Sequence, residues 1–177
     1  MSQAFFSADL HLGHSRIIDY CKRPYSGHQD MDKDILDRFN SRLKPGDHLY
    51  LLGDVCWSTF NLHPWLDQLN TKEVFVIRGN HDRKESQLKH KSVKWVKELE
   101  GIMFGPDFNP YVVMCHYPMR TWNHKGRGSY QLYGHVHGTM PGLDRQMDVG
   151  VDVNDFKPFS LEEIRERMDV IPFNKYD

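Results

Sequence analysis

Two histidines one residue apart, His135 and His137, sit between glycines in "LYGHVHGTM", residues 132–140. Residues i and i+2 of a strand point to the same face, so at a strand end both imidazoles can reach toward one point. Residues of similar chemistry recur along the chain: Asp9 with His11, Asp54, Asn80 with His81, and His116. Carboxylate, amide oxygen and imidazole, with no thiolate needed, suit divalent first-row ions such as Mn²⁺, Fe, Zn²⁺ or Ni²⁺. The candidate ligands Asp9, His11, Asp54, Asn80, His116, His135 and His137 exceed the roughly three protein ligands of a mononuclear catalytic site. They suit two ions roughly 3.5–4 Å apart that share a carboxylate. Such a pair lowers the pKa of a bridging water and clamps the attacking and leaving oxygens of a phosphate ester.

These residues can act together only if the chain brings them together. Each follows a short β-branched or aromatic run: "QAFFSA" (3–8) leads to Asp9, "DHLYLLG" (47–53) to Asp54, "EVFVIRG" (73–79) to Asn80, "YVVMC" (111–115) to His116 and "YQLYG" (130–134) to His135. Such runs read as strands, and sites on sheets covered by helices gather at the carboxyl ends of strands. "MDVGVDV" (147–153) predicts a further strand, and "SVKWVKEL" an exposed-faced strand or short helix. Helical spacing puts Ile35, Leu36, Phe39 and Leu43 on one face of 31–43; 60–70 reads as a second helix. Residues 160–168 form a third, opened by the capping pair Ser160 and Glu163. The alternation predicts a mixed α/β sandwich.

Composition fits a single globular domain spanning residues 1–177, with 39% hydrophobic and 27% charged residues. The net charge of −1 gives no electrostatic case for wholesale nucleic-acid binding. No apolar run approaches the ~18 residues of a membrane span. The amino-terminal "MSQAFFSADL" lacks the pattern of a signal peptide. Three cysteines without CxxC spacing suit a reducing cytoplasm better than a disulfide framework.

"SADLHLGH" (7–14), "GD" (53–54), "RGNHD" (78–82), "CHYP" (115–118) and "GHVH" (134–137) follow one another in the order of the motifs of the calcineurin-like metallophosphoesterases. The chain resembles small bacterial and phage members of that superfamily. The resemblance implies a β-sandwich flanked by helices in four layers. It also implies two divalent metal ions, manganese first, with Fe, Zn or Ni as alternatives. Asp9, His11 and His137 would hold the first ion, and Asn80, His116 and His135 the second. Asp54 would bridge them, with a catalytic role beside His81, which faces the substrate. Asp82 would orient its loop. The implied activity is hydrolysis of small phosphodiesters, nucleotides or cyclic nucleotides among them, by metal-activated water. A phosphomonoesterase is the nearest alternative. A scaffold that had lost its metals would lack ligands, and all seven positions and His81 are present here.

Other residues admit two readings. His14 either contacts the phosphate or caps a helix beginning near Ser15. Arg16 stands where relatives of this type often carry Asn and can add a phosphate contact; with Lys22 and Arg23 it forms either a basic rim or an ordinary solvated loop. Arg120 lies in "YPMRTWNHKGRGS", a substrate-facing or merely surface segment. The expected partner is a small phosphate ester, with no membrane; the sequence does not set the oligomeric state.

Overall fold

The computed structural model describes residues 2–106, 110–173 and 175. Among the described residues, nine strands form two sheets. The first has the order β4 (Val93–Lys97), β3 (Glu73–Ile77), β2 (His48–Leu52), β1 (Ala4–Ser7), β9 (Phe159–Ser160). Its first four strands are parallel, and β9 runs antiparallel to β1. The second sheet has the order β5 (Leu99–Met103), β6 (Tyr111–Cys115), β7 (Tyr130–Tyr133), β8 (Gln146–Asp148). Only the β5–β6 pair in it is antiparallel.

Strand alternation builds two cores from one sheet. Phe5, Leu49, Leu51, Val74 and Val76 face outward and pack under α2 (His28–Arg42) and α3 (His63–Gln68), against Ile35, Phe39, Trp65 and Leu66. Phe6, Tyr50, Leu52 and Ile77 face the other way, onto Val112, Met114 and Leu132 of the second sheet. Burial on both faces explains why these parallel strands read as continuous apolar runs. Helix α5 (Leu161–Met168) adds Ile164 and Met168 to the inner core. Its amino end carries the expected capping box of Ser160 and Glu163.

Helix α1 (Ser15–Tyr20) and the short α4 (Glu85–Leu88) complete the helices, and none among the described residues is long and apolar enough to cross a membrane. One feature differs from expectation. The 147–153 run is a strand only over its first half; Val151–Val153 form a 3-10 turn. The 117–129 segment joins β6 to β7. It is tied down where the Met119 N–H donates to buried Gln131 (3.3 Å) and Gln146 Nε2 donates to the same Gln131 oxygen (2.7 Å). The 92–99 run resolves as the edge strand β4, its Val93 and Val96 on the outer core.

Replacing Ser160 with Ala removes the oxygen that accepts the Glu163 N–H. The expected cost is about 1 kcal/mol, read as a lower urea midpoint at unchanged slope.

Candidate metal centre

All five strand ends named by the sequence point to one edge of the sandwich. β1, β2, β3, β6 and β7 are followed by Asp9, Asp54, Asn80, His116 and His135 respectively. The backbone must turn sharply there. Asp9, His11, Asp54, His135 and His137 all adopt left-handed φ, between 48° and 70°. Non-glycine residues rarely do so, at roughly 1–3 kcal/mol each. The turns are held by bonds among themselves: Asp9 N–H to the Gly53 carbonyl (3.0 Å) and His11 N–H to the Asp54 carbonyl (2.9 Å). The His135 N–H donates to the Asp9 carboxylate (2.8 Å) and the His81 N–H to Asp54 Oδ1 (2.8 Å). Gly79 has a steric reason: a Cβ there would collide with Asp54. Asp82 ties the same loops, its two oxygens accepting from Val55 and Gly79, each at 2.9 Å.

The side chains gather in two groups. Asp9, His11 and His137 bring ligand atoms within 4.8 Å of one another, and so do Asp54, His116 and His135. Asn80 Oδ1 lies 3.2 Å from His116 Nε2 and so belongs beside the second group. Asp54 Oδ2 lies between the groups, 3.6 Å from His11 Nε2 and 3.5 Å from His116 Nε2. His81 Nε2 is 4.0 Å from the same oxygen.

Taken without a cation, this cluster is electrostatically poor. His11 is 1% exposed, and neither of its ring nitrogens has a hydrogen-bond partner. Burial drives its pKa down to about 2, and pushes the Asp9 carboxyl up to about 7. Buried polar atoms without partners are costly. A neutral imidazole with a lone pair to give and a carboxylate short of positive charge are what a divalent ion satisfies. The N and O donor set, without thiolate, fits first-row divalent ions at both groups.

A second ring of residues orients the first. The His116 Nδ1–H donates to the Leu52 carbonyl at 2.8 Å, which turns Nε2 toward Asp54. The His137 Nδ1–H donates to Asp152 Oδ2 at 2.7 Å. Arg23 grips both Asp152 oxygens, each at 2.7 Å, and donates to the carbonyls of Asp9 (2.7 Å) and Leu10 (3.0 Å). Arg23 is only 5% exposed, a structural clamp rather than a basic rim. Asp148 accepts from the Gly138 and Gly150 N–H groups and fixes the turn after His137. Such outer partners set tautomer and ring orientation.

A family model described as calcineurin-like phosphoesterase matches residues 5–116. The chain belongs to the calcineurin-like phosphoesterase family. An uncharacterised protein of Methanocaldococcus jannaschii is 29% identical over 174 residues, covering 93% of this chain and 90% of its own length. The "Gene 66 protein" of a Mycobacterium phage is 25% identical over 203 residues, covering 97% and 98%. A solved structure, a protein of unknown function from Aquifex aeolicus, has the same fold with a TM-score of 0.75. It is 23% identical and covers 94% of this chain and 100% of its own.

In this family member His11, Asp54, Asn80, His135 and His137 border a cleft of about 510 Å³ that also touches His14, Tyr20 and Cys21. A larger hollow of about 770 Å³ opens near the amino ends of β1 and β2, beside α5, and holds none of the candidate residues. His14 occupies the N-cap position of α1, but its side chain makes no cap bond and stacks on Trp57 at 4.0 Å. Arg16 lines a pocket beside the cleft. Arg120 is exposed and lines neither space.

Burial opposes a charged His137, but the Asp152 carboxylate outweighs it and lifts the imidazolium to about 10. Asp152→Asn keeps the shape and removes the charge. In metal-free protein, NMR titration of His137 is expected to move down by more than about one pH unit in that variant, since a lost anionic partner favours the neutral ring.

Proposed function

We propose that this chain is a dinuclear metal-dependent phosphodiesterase acting on small phosphate diesters, with residues 1–177 as one catalytic domain. The observation that carries the reading is the Asp54 carboxylate. One of its oxygens stands midway between His11 and His116, at 3.6 and 3.5 Å, where two three-residue groups meet. Asp9, His11 and His137 would hold one divalent ion; Asn80, His116 and His135 would hold the other; Asp54 would serve both. When bound, the pair supplies an acidified water as nucleophile and positive charge for the phosphate oxygens.

The chain's own residues do the rest. Asp54 Oδ1 is held by the His81 N–H, so the carboxylate and the histidine loop move as a unit. His81 borders the cleft beside the ligands, where its ring can donate to a phosphate oxygen or protonate the leaving oxygen. His116 and His137 each commit Nδ1–H to a fixed acceptor, so that Nε2 is the nitrogen left to serve an ion once its proton is released. Water attacks phosphorus in line, the opposite P–O bond breaks, and the departing oxygen takes a proton. Manganese, first among the ions the family resemblance implies, suits the carboxylate and amide oxygens, while the four imidazoles also suit Fe, Zn or Ni. The three free cysteines support a cytoplasmic setting.

The test is metal-stripped protein with Mn²⁺, Ni²⁺, Zn²⁺, Fe²⁺ or Mg²⁺ restored in turn. Cleavage of bis(p-nitrophenyl) phosphate is expected to exceed that of p-nitrophenyl phosphate and to vanish in Asp54→Ala. A preference for the monoester would reassign the reaction, and no cation binding at all would leave a scaffold. His81→Ala is expected to retain two ions per chain by elemental analysis and to lose about 10²-fold or more in kcat. A parental rate in that variant would remove His81 from the reaction.

A further inference from the structure

The cleft does not end at His81. A pocket of about 500 Å³ continues from it, bordered by His14, Arg16, Tyr20, Trp57, Thr59 and His81. His14, Tyr20 and His81 border both spaces, so one molecule can occupy the two together. This volume lies in the range of small-molecule sites.

Its walls are aromatic. His14 lies flat on Trp57, with centroids 4.0 Å and planes 12° apart. Tyr20 meets His14 edge-on, 6.5 Å away at 74°. Trp57 and His81 are 5.4 Å apart. Tyr20 ends α1 and is 68% exposed, a large aromatic left in water at the border of the cleft. Polar groups beside it lack partners. His14 is only 8% exposed, and its Nδ1 has no hydrogen bond. Arg16 is exposed and makes no ion pair with a described carboxylate.

The geometry points to a nucleoside subsite: one ester arm of the substrate is a nucleoside whose base lies on Tyr20, with its edge toward the stacked His14–Trp57 pair. This inference rests on the phosphodiesterase reading. A base has two demands that this pocket meets, a flat π surface and donors at its edge. Tyr20 offers a ring face to stack on, and the roughly perpendicular His14–Trp57 stack gives the edge-to-face contact aromatic rings favour. The Arg16 guanidinium supplies hydrogen-bond donors for ring nitrogens and carbonyl oxygens of the base. The phosphate then falls over the two ligand groups, with His14 and His81 at the junction. An aliphatic arm would leave both demands unanswered.

The experiment compares two chromogenic diesters with the same leaving group, thymidine 5′-(p-nitrophenyl phosphate) and methyl p-nitrophenyl phosphate, on metal-loaded enzyme. The nucleoside ester is expected to have a kcat/KM higher by about tenfold or more, chiefly through KM. Tyr20→Ala and Arg16→Gln should each shrink that ratio several-fold, while Tyr20→Phe, which keeps the ring, should restore it. A ratio near one in the parent enzyme, or one unmoved by Tyr20→Ala, overturns the subsite and leaves diester hydrolysis standing. If neither ester is cleaved, the reaction assigned above fails, and calorimetric titration decides the subsite separately. AMP binding about tenfold tighter than ribose 5-phosphate, with the difference lost in Tyr20→Ala, supports it; equal affinities overturn it.

Discussion

One carboxylate organises this end of the molecule. Asp54 is 2% exposed, accepts the His81 N–H on one oxygen and presents the other to His11 and His116. A buried charge so placed must be compensated from every side. Its backbone carbonyl holds the His11 N–H, and Gly79 leaves the room that lets the next loop close over it. Displacing Asp54 would therefore loosen the turns at 9–11 and 79–82 together, which makes it a fold constraint as well as a chemical group.

The same region stores strain. Five of the seven candidate ligands sit in left-handed backbone, a concentration found where structure serves function rather than stability. The compensation is local and polar. Asp82 and Asp148 each accept two N–H bonds from the turns around them, and Asp9 accepts the His135 N–H across both its oxygens. Two large apolar cores beneath supply the stability that allows these residues to be held against their own preference.

The strands and their polar ends were legible because both signals are local. An apolar run that stops at Asp, Asn or His records a strand and a ligand in adjacent letters. The structure gathers Asp9, His11 and His137 in one place and Asp54, His116 and His135 in another, whereas the resemblance implies Asn80 in the second set and Asp54 shared by both. What stayed hidden is nonlocal. Arg23 and Asp152 are 129 residues apart, and nothing near either announces the pair. Asp152 sat in a run that alternates like a strand, yet Gly150 passes it into a 3-10 turn. Arg120, either substrate-facing or merely on the surface by its basic neighbours, is exposed and lies outside the cleft and the pocket beside it. Tyr20 gave no sign, and Trp57 reads equally as part of a partner face or of the core, since only the pocket distinguishes an aromatic at a cleft from one in a core.

The order in which the chain supplies these parts has a further meaning. Asp9 and Arg23 are made early, while His137 and Asp152, their partners, come more than a hundred residues later. β9, which closes the edge beside β1, is added later still. On the ribosome, neither candidate group can close early, because His135 and His137 emerge together after β7 and supply the last member of each. Contacts of such long sequence separation form slowly, so Asp9 and Asp54, both made early, are buried carboxylates whose surroundings are completed by one short late segment.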